Sequence, residues 1–243
     1  GTRNVLECME KKKINNLIFT SSVAIYGLNK AAPSEDSEKD PFNHYGKSKW
    51  KAEQEIQKWY NKEPKKKSVT IIRPTVIFGE RNRGNVFNLL KKINSGRFIM
   101  IGDGLNKKSM AYVGNVVEFI KNRLINKEKG IHVFNYVDGN DLNMQELVSF
   151  VQKKMLIKPI NIKIPYLLGF IAGCAFDLTS FISRKKMSIS SVRVKKFCAT
   201  TQYSANKIKS VFKPPTSLKK GLEKTLEYEF IKEKKDEVLF FSE

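Results

Sequence analysis

The sequence predicts an α/β fold in which helices cover both faces of a parallel, doubly wound sheet. Two short apolar runs, Leu-Ile-Phe-Thr at residues 17–20 and Val-Thr-Ile-Ile at residues 69–72, are typical of strands buried on both faces. A helical pattern precedes the first run, and another separates the two runs. Because strands and helices alternate along the chain, we expect the strands to be parallel.

Apolar residues at helical spacing define the helices. Val5, Leu6 and Met9 mark the first one, and the pattern returns after residues 29–41, a polar loop rich in proline, serine and acidic residues. Helices are predicted at residues 2–13, 45–60, 86–93, 116–124 and 144–155, and further strands at residues 99–101 and 132–136. The alternation loosens after residue 80. Residues 81–243 are therefore expected to form mainly a smaller C-terminal α/β lobe, with some segments returning to the sheet.

The charge of the chain restricts its partners. The sequence has 45 lysines and arginines against 24 aspartates and glutamates, a formal net charge of +21, which attracts nucleic acids, anionic lipids and diphosphates. The lysines are dispersed in short runs, and no nucleic-acid-binding motif accompanies them. We therefore expect mostly solvated lysine-rich faces and no nucleic-acid partner.

Cysteine and histidine spacing predicts neither a metal site nor a disulfide framework. Cys8, Cys174 and Cys198 form no Cys-x-x-Cys pair, and His44 and His132 lie far apart in sequence. The chemistry is expected to need no metal, and free cysteines fit a reducing cytoplasm.

A tyrosine and a lysine open the second predicted helix. Tyr45 and Lys49 are four residues apart, so both side chains lie on one helix face, one turn apart. The ammonium favours phenolate and lowers a tyrosine pKa that is otherwise about 10. Such a pair suits general acid–base chemistry near neutral pH. By itself, however, this spacing arises in any lysine-rich helix that contains a tyrosine.

Two further motifs follow the predicted strands. Ser-Ser-Val-Ala-Ile-Tyr-Gly at residues 21–27 follows the first strand, and Arg-Pro-Thr-Val-Ile-Phe-Gly at residues 73–79 follows the second. Open α/β sheets bind ligands at the carboxyl ends of their strands. A serine hydroxyl there could share a proton with Tyr45 and with a substrate oxygen.

These three motifs, in this order, resemble those of the extended short-chain dehydrogenase/reductase family of NAD-dependent epimerases and dehydratases. The resemblance covers nearly the whole chain and implies a Rossmann-type sheet. It implies that Tyr45 is the acid/base, that Lys49 holds the nicotinamide ribose and tunes the tyrosine, and that Ser22 assists proton transfer. Ser21 is the alternative serine.

The same resemblance implies which cofactor is bound and which parts of the chain bind cofactor and substrate. NAD is the cofactor, and Pro74 and Thr75 join Tyr45 and Lys49 in contacting it. Residues 1–80 correspond to the C-terminal part of the NAD-binding domain, and the lobe binds substrate. A homodimer that pairs through helices including the Tyr45 helix is also implied.

Four separated runs narrow the resemblance further. Residues 42–50, 78–86, 108–113 and 192–202 are similar to the branch of the family that interconverts N-acetylglucosamine and N-acetylgalactosamine on undecaprenyl diphosphate. This implies a transient 4-keto sugar and a role in O-antigen-type surface polysaccharide synthesis. One alternative is a 4-epimerase or 4-keto reductase of UDP-sugars. Another is a non-catalytic NAD-fold or nucleic-acid-binding protein.

A lipid-linked or nucleotide-linked sugar diphosphate needs cationic partners. By resemblance, Asn85, Lys108 and Arg193 are the candidates for the diphosphate and the adjacent sugar, and Ser22 contacts the substrate oxygen. Arg81 and Arg83 are weaker candidates.

The glycine-rich turn that holds the NAD pyrophosphate in this family is missing from the sequence. The run Gly102-Asp103-Gly104 follows a late strand and lacks a third glycine. The chain starts at Gly1 without a methionine or an apolar leader. We therefore expect it to begin inside a longer protein, to be N-terminally incomplete, and by itself to bind NAD poorly and be inactive.

An apolar run at residues 166–176 is shorter than the roughly 20 residues of a membrane-spanning helix, so none is predicted. It is expected to be either a buried helix of the lobe or a surface that faces the membrane or the polyprenyl chain. The second alternative predicts vesicle binding that salt and Phe170→Asp weaken, and it agrees with a peripheral location at the inner face of the cell membrane. Nearby lysines support it, at positions Lys185, Lys186, Lys195 and Lys196.

Overall fold

The computed structural model describes residues 1–28, 30–158, 162–183 and 190–232. The helices are α1 (Thr2–Lys11), α2 (His44–Lys62), α3 (Asn85–Asn94), α4 (Val113–Ile125), α5 (Met144–Lys154), α6 (Tyr166–Ser183), α7 (Ser191–Cys198), α8 (Asn206–Val211) and α9 (Leu218–Leu226). The strands are β1 (Asn16–Thr20), β2 (Ser68–Pro74), β3 (Val76–Phe78), β4 (Met100–Ile101), β5 (Met110–Tyr112), β6 (Gly130–Tyr136) and β7 (Lys163–Ile164). A 3-10 turn covers Val23–Tyr26, and a π-helical turn covers Glu227–Ile231.

The chain forms two compact units. The first, the sheet unit, consists of Gly1–Glu80, Ser109–Asn140 and Gln202–Thr225. The second, the lobe unit, consists of Arg81–Lys108, Asp141–Thr201 and Leu226–Glu243. Each unit is therefore assembled from segments that are separated in sequence.

The main sheet of the sheet unit has the order β1-β2-β6, and both pairings are parallel. Thr20 of β1 pairs with Ile72 of β2, and Pro74 of β2 pairs with Tyr136 of β6. The central strand β2 is buried along nearly its whole length, as its run of apolar residues predicts. The same prediction for residues 17–20 was wrong: β1 is an edge strand of the described sheet, so residues 17–19 are half-buried and Thr20 is exposed. The predicted parallel α/β fold is confirmed.

Helices pack on both faces of this sheet because successive side chains of β2 point to opposite sides. On one face, residues of α1 and α2 cover the first cluster, which contains Leu6, Met9, Ile56, Trp59, Val69 and Ile71. On the other face, α4 and α8 cover the second cluster, which contains Ile72, Ala111, Val116, Phe119, Phe134, Tyr136 and Ile208. Each fully buried large side chain contributes about 1.5–3 kcal/mol.

The lobe unit contains a two-stranded parallel sheet of β4 and β7, in which Met100 pairs with Lys163. Helix α3 packs against α5, and α6 packs against α7. A capping box starts α5: the Asn143 side chain accepts from the Glu146 backbone, and the Glu146 side chain accepts from the Asn143 backbone. The short strand and the two helices α3 and α5 lie close to the ranges that the sequence predicts.

Helix α6 is longer than its sequence predicts. It has 18 residues and a mean hydropathy of 1.5, and among the described residues it is the one helix long and apolar enough to cross a membrane. The length expected from residues 166–176 was therefore wrong. The helix continues past Phe176 into a second apolar stretch with Leu178, Phe181 and Ile182. The carboxylate of Asp177 accepts hydrogen bonds from Ser191 of α7.

Candidate active site

The carboxyl ends of β1 and β2 lie side by side. The backbone N–H of Ser21 donates a 2.7 Å hydrogen bond to the carbonyl of Ile72, which continues the parallel pairing one residue past β1. The serine motif and the Arg73-Pro74 motif thus leave the sheet at the same edge, where open α/β sheets place their ligands.

Ser22 begins the 3-10 turn. Its Oγ accepts a 3.1 Å hydrogen bond from the backbone N–H of Ala24, and its side chain is half-buried. This contact uses an oxygen lone pair, so the hydroxyl hydrogen can still be donated. Ser21 differs, because it is 2% exposed and its Oγ has no hydrogen-bond partner in the described part of the chain. The geometry favours Ser22 as the serine that a substrate can reach.

The first turn of α2 lies directly against this 3-10 turn. The side chain of Asn43 caps the helix by accepting a 2.7 Å hydrogen bond from the backbone of Gly46. A Cβ atom at position 46 would lie 2.5 Å from the backbone oxygen of Ala24, closer than real Cβ contacts allow. The glycine of the Tyr-Gly-Lys motif therefore permits the close approach that brings Tyr45 towards the Ser22 segment.

Tyr45 and Lys49 form a pair on this helix. The Nζ atom of Lys49 lies 5.7 Å from the centroid of the Tyr45 ring and donates a 2.8 Å hydrogen bond to the backbone oxygen of Thr20. Tyr45 is 54% exposed, and burial lowers the pKa of Lys49 below its ordinary value. A charge held partly out of water acts more strongly on its neighbours. The ammonium is thus fixed beside the phenol, at the end of β1.

A buried ion pair links β2 to the same helix. Arg73 donates from Nε and Nη2 to the two carboxylate oxygens of Glu53, at 3.0 and 2.7 Å, and the side chains are 4% and 3% exposed. Burial acts to lower the pKa of Arg73, but its interactions with Glu53 and Tyr26 together outweigh burial, so the pKa is raised. The Nη1 atom of Arg73 donates a 2.7 Å hydrogen bond to the hydroxyl of Tyr26 in the 3-10 turn.

Tyr26 extends this network to the third strand. Its hydroxyl donates a 2.7 Å hydrogen bond to the side-chain oxygen of Asn135 in β6. Burial raises the pKa of Tyr26 to about 12. Tyr26 is thus a buried tyrosine that connects the turn to the sheet.

The sequence did not single out Arg73 and Glu53 as partners. The available signal was the position of each: Glu53 lies one helical turn after Lys49 on the buried face of α2, and Arg73 ends an apolar strand. Ionisable residues at positions where the pattern predicts burial are expected to pair.

Pro74 ends β2, and Thr75 follows it. Thr75 is 5% exposed, and both its backbone N–H and its hydroxyl donate to the carbonyl of Tyr136, at 3.1 and 3.2 Å. The hydroxyl of Thr75 is therefore engaged within the sheet unit.

Three of the expected substrate residues belong to the lobe unit. Asn85 is exposed and is the first residue of α3. Lys108 donates from Nζ to the backbone oxygens of Lys196, at 2.8 Å, and of Ala199, at the C-terminal end of α7. Burial lowers the pKa of Lys108 to about 8.

Arg193 lies at the other end of α7. Ser190 caps this helix by accepting a 3.2 Å hydrogen bond from the backbone N–H of Arg193, whose side chain is exposed. Helix α7 thus brings Lys108 and Arg193 to its two ends. The two weaker candidates contact the π-helical turn: Arg83 pairs with Glu229, and Arg81 donates a 2.9 Å hydrogen bond to Tyr228.

Comparison with curated proteins shows a relative of high identity. The chain is 59% identical over 244 residues to the Escherichia coli O157:H7 protein named N-acetyl-alpha-D-glucosaminyl-diphospho-ditrans,octacis-undecaprenol 4-epimerase, with 100% of this chain and 74% of the relative covered. It is 23% identical over 231 residues to the UDP-glucose 4-epimerase of Vibrio cholerae, with 93% of this chain and 66% of that protein covered.

Solved structures share the fold. The UDP-glucose 4-epimerase of Thermotoga maritima, solved with UDP-glucose, gives a TM-score of 0.68 at 21% identity, over 93% of this chain and 67% of that one. The UDP-glucuronic acid 4-epimerase of Bacillus cereus, solved with NAD, gives a TM-score of 0.69 at 19% identity, over 93% of this chain and 65% of that one. Residues 1–136 match the NAD dependent epimerase/dehydratase family. From this match and the 59% identical relative, the chain belongs to the NAD dependent epimerase/dehydratase family.

Proposed function

We propose that the protein is an NAD-dependent 4-epimerase that interconverts N-acetylglucosamine and N-acetylgalactosamine on undecaprenyl diphosphate through a transient 4-keto sugar. The observation that carries the chemistry is the half-buried ammonium of Lys49 beside the exposed phenol of Tyr45, with Ser22 on the adjoining turn. The choice of the lipid-linked substrate is supported by the 59% identical relative with that name.

Residues of this chain accept and return the proton of the 4-hydroxyl group of the sugar. Tyr45, as phenolate, takes the proton of the 4-hydroxyl group. The positive charge of Lys49 stabilises this anion. Ser22 donates its hydroxyl hydrogen to the same substrate oxygen and holds it in place. In the return direction Tyr45 gives the proton back. Bound NAD supplies the acceptor and donor of the hydrogen at carbon 4, so no external reductant is consumed.

The fit of these residues to NAD is good on the nicotinamide side. Lys49 and Tyr45 present a cation and a phenol at the strand ends, the residue types that would hold the ribose. Pro74 and Thr75 are proposed to contact the nicotinamide. The hydroxyl of Thr75 takes no part in this contact, because it donates a hydrogen bond to the carbonyl of Tyr136. The sequence contains no glycine-rich turn for the pyrophosphate, which supports the prediction that residues 1–243 alone bind NAD weakly.

The diphosphate is proposed to meet Asn85, Lys108 and Arg193. Arg193 is the strongest of the three, because its guanidinium is exposed and a guanidinium forms paired hydrogen bonds with phosphate oxygens. Lys108 is more constrained, since its ammonium already donates to the end of α7. The net charge of +21 would draw the anionic substrate in.

A lipid-linked substrate also supports a location and a pathway. We place the protein in the cytoplasm, peripherally at the inner face of the cell membrane, in the synthesis of O-antigen-type polysaccharide. We further propose a homodimer that pairs through helices including α2. Sedimentation velocity tests this: a mass of one chain at micromolar concentration would contradict the dimer.

The substrate is tested by direct comparison. The purified full-length protein is given N-acetylglucosamine linked either to undecaprenyl diphosphate or to UDP, with NAD present, and the sugars are separated after mild acid hydrolysis. We expect N-acetylgalactosamine from the lipid-linked substrate, and none with Tyr45→Phe. Conversion of the UDP-linked sugar alone would favour the alternative, a UDP-sugar 4-epimerase.

A further inference from the structure

Helix α6 shows an apolar face to solvent. Leu178, Phe181 and Ile182 are 61%, 84% and 72% exposed. Only 11% of the helix is buried, so α6 is not a core helix of the lobe unit. Further exposed apolar residues on it are Leu167, Leu168 and Ile171. A contiguous apolar face of this kind marks a binding surface.

Three polar side chains in the C-terminal half of α6 are hydrogen-bonded within the protein. Asp177, its one charged residue, accepts from the backbone N–H and the hydroxyl of Ser191, at 3.0 and 2.5 Å. The hydroxyl of Thr179 donates to the carbonyl of Phe176, and that of Ser183 donates to the carbonyl of Thr179. These groups can therefore leave water without losing a hydrogen bond, which suits the face to an apolar environment.

One side of α6 is attached to the lobe unit at two glycines. A Cβ atom at Gly169 would lie 2.6 Å from Ile101, and one at Gly173 would lie 2.8 Å from Ser191. The helix, about 27 Å long at 1.5 Å per residue, approaches the thickness of a hydrocarbon core. Because one side of α6 packs against protein at these two glycines, the helix is suited to lie along a membrane surface.

The charge around α6 is strongly positive. Between Leu156 and Gln202 the sequence contains eight lysines and arginines and a single acidic residue, Asp177. On α7, Lys195 and Lys196 are exposed, while Lys185 and Lys186 lie outside the described residues. Anionic lipid headgroups complement this charge. A second copy of the chain would instead bring two basic surfaces together, which opposes self-association through this face.

We propose that α6 and α7 form a docking surface for an anionic bilayer, with α6 in the plane of the interface. The exposed face of α6 lies among the upper acyl chains, and the lysines of α7 lie at the headgroups. The proposal rests on the proposed function for its purpose, because a lipid-linked substrate resides in the same bilayer.

The apolar part of the surface is tested by sedimentation with substrate-free vesicles of phosphatidylglycerol and phosphatidylcholine. We expect Leu178→Asp and Phe181→Asp together to lower the vesicle partition coefficient about tenfold or more. The matched control is Val117→Asp, an exposed apolar residue of α4 in the sheet unit, which should change it less than about twofold. Equal binding by the unchanged protein, the variant with Leu178→Asp and Phe181→Asp, and the Val117→Asp control would overturn the proposal.

The basic part is tested on the same vesicles. Lys195→Gln with Lys196→Gln should lower partitioning on the order of tenfold, whereas Lys91→Gln with Lys92→Gln, exposed lysines of α3, should lower it much less. Binding should also weaken in high salt and on vesicles of phosphatidylcholine alone. Vesicle binding that does not change with lipid charge, with salt or on substitution of Lys195 and Lys196 would overturn the proposal.

Native cysteines report which surface meets the lipid. Cys174 on α6 and Cys8 on α1 are both exposed. A polarity-sensitive fluorophore on Cys174, with the other two cysteines changed to serine, should shift to shorter wavelength on adding vesicles, whereas the same fluorophore on Cys8 should not. A shift at Cys8 only, a lipid-independent dimer abolished by Phe181→Asp, or resistance to alkaline extraction from vesicles would each overturn the proposal.

Docking and catalysis are separable. If docking fails while a detergent-solubilised lipid-linked substrate is epimerised, the docking surface is wrong and the proposed function stands. If docking occurs as described and no substrate is epimerised, the proposed function is wrong and the surface stands.

Discussion

The guanidinium of Arg73 and the carboxylate of Glu53 form a bidentate ion pair that is almost fully buried. Glu53 belongs to the helix that carries Tyr45, and Arg73 also holds Tyr26 in the turn that begins at Ser22. One guanidinium therefore connects the segments of all three motifs. The positions of the proposed catalytic groups depend on a residue pair that touches neither substrate nor cofactor in the proposed mechanism.

Removing one partner of this pair should be costly. Glu53→Gln leaves the charge of Arg73 buried and uncompensated, and we expect it to lower the free energy of unfolding by about 3–5 kcal/mol. Urea denaturation measures the change. The control is Arg3→Gln, which breaks the exposed pair of Arg3 with Glu55 and should lower the free energy of unfolding much less, because solvent screens an exposed pair. Equal costs for the two variants would contradict the role given to the buried pair.

A methyl group at Gly46 should displace the site. Gly46→Ala places a Cβ atom 2.5 Å from the oxygen of Ala24, so the first turn of α2 must move away from the turn that carries Ser22. We expect a loss of about 1–3 kcal/mol of stability and a fall in kcat of tenfold or more. Lys47→Ala, at the exposed neighbouring position, should change neither quantity. A fully active Gly46→Ala protein would show that this close approach does not matter.

The phenol of Tyr45 is predicted to act in catalysis and not in folding. Tyr45→Phe removes the proton acceptor and should lower kcat by about 10²–10⁴-fold, measured as epimerisation of the lipid-linked sugar. Since the side chain is 54% exposed, the free energy of unfolding should change by less than about 0.5 kcal/mol. Tyr60→Phe on the same helix serves as the control and should retain full activity.

The pH dependence of kcat/KM should reflect the protonation of Lys49. Burial lowers its pKa below the ordinary value of 10.5, so the ammonium loses its proton at a lower pH than a free lysine does. Once it is neutral, it no longer favours the phenolate of Tyr45. We expect kcat/KM to fall on the alkaline side at a pH below 10.5. In Lys49→Arg this alkaline fall should move to higher pH, because a guanidinium stays protonated. An unchanged alkaline limb in that variant would contradict the assignment.

The main sheet could be predicted from local patterns. Residues 69–72 are buried on both faces and read as a continuous apolar run, whereas residues 17–20 have the same apolar pattern but form a half-buried edge strand. Helices α2 and α5 carry enough turns for helical spacing to be clear. The pairing of β3 with β5 could not be read in this way, because three-residue strands carry no measurable period.

Long-range pairing limited the prediction of the site. The motifs identify Ser22, Tyr45 and Lys49 by their order, but the partner of Arg73 lies 20 residues away and follows only from the fold. Helix α6 shows the same limit. Its apolar composition is visible in the sequence, whereas the packing of Gly169 and Gly173 that decides which face is exposed is a tertiary feature.

The most direct test of the central claim follows the hydrogen at carbon 4. The full-length protein is given undecaprenyl-diphosphate-linked N-acetylglucosamine that carries deuterium at carbon 4, with NAD and no added reductant, and the released sugars are analysed by mass spectrometry. We expect N-acetylgalactosamine that retains the deuterium at carbon 4, because the hydrogen leaves and returns to the same carbon while Tyr45 exchanges only the hydroxyl proton. Product without deuterium at carbon 4, with the label recovered in water, would contradict it.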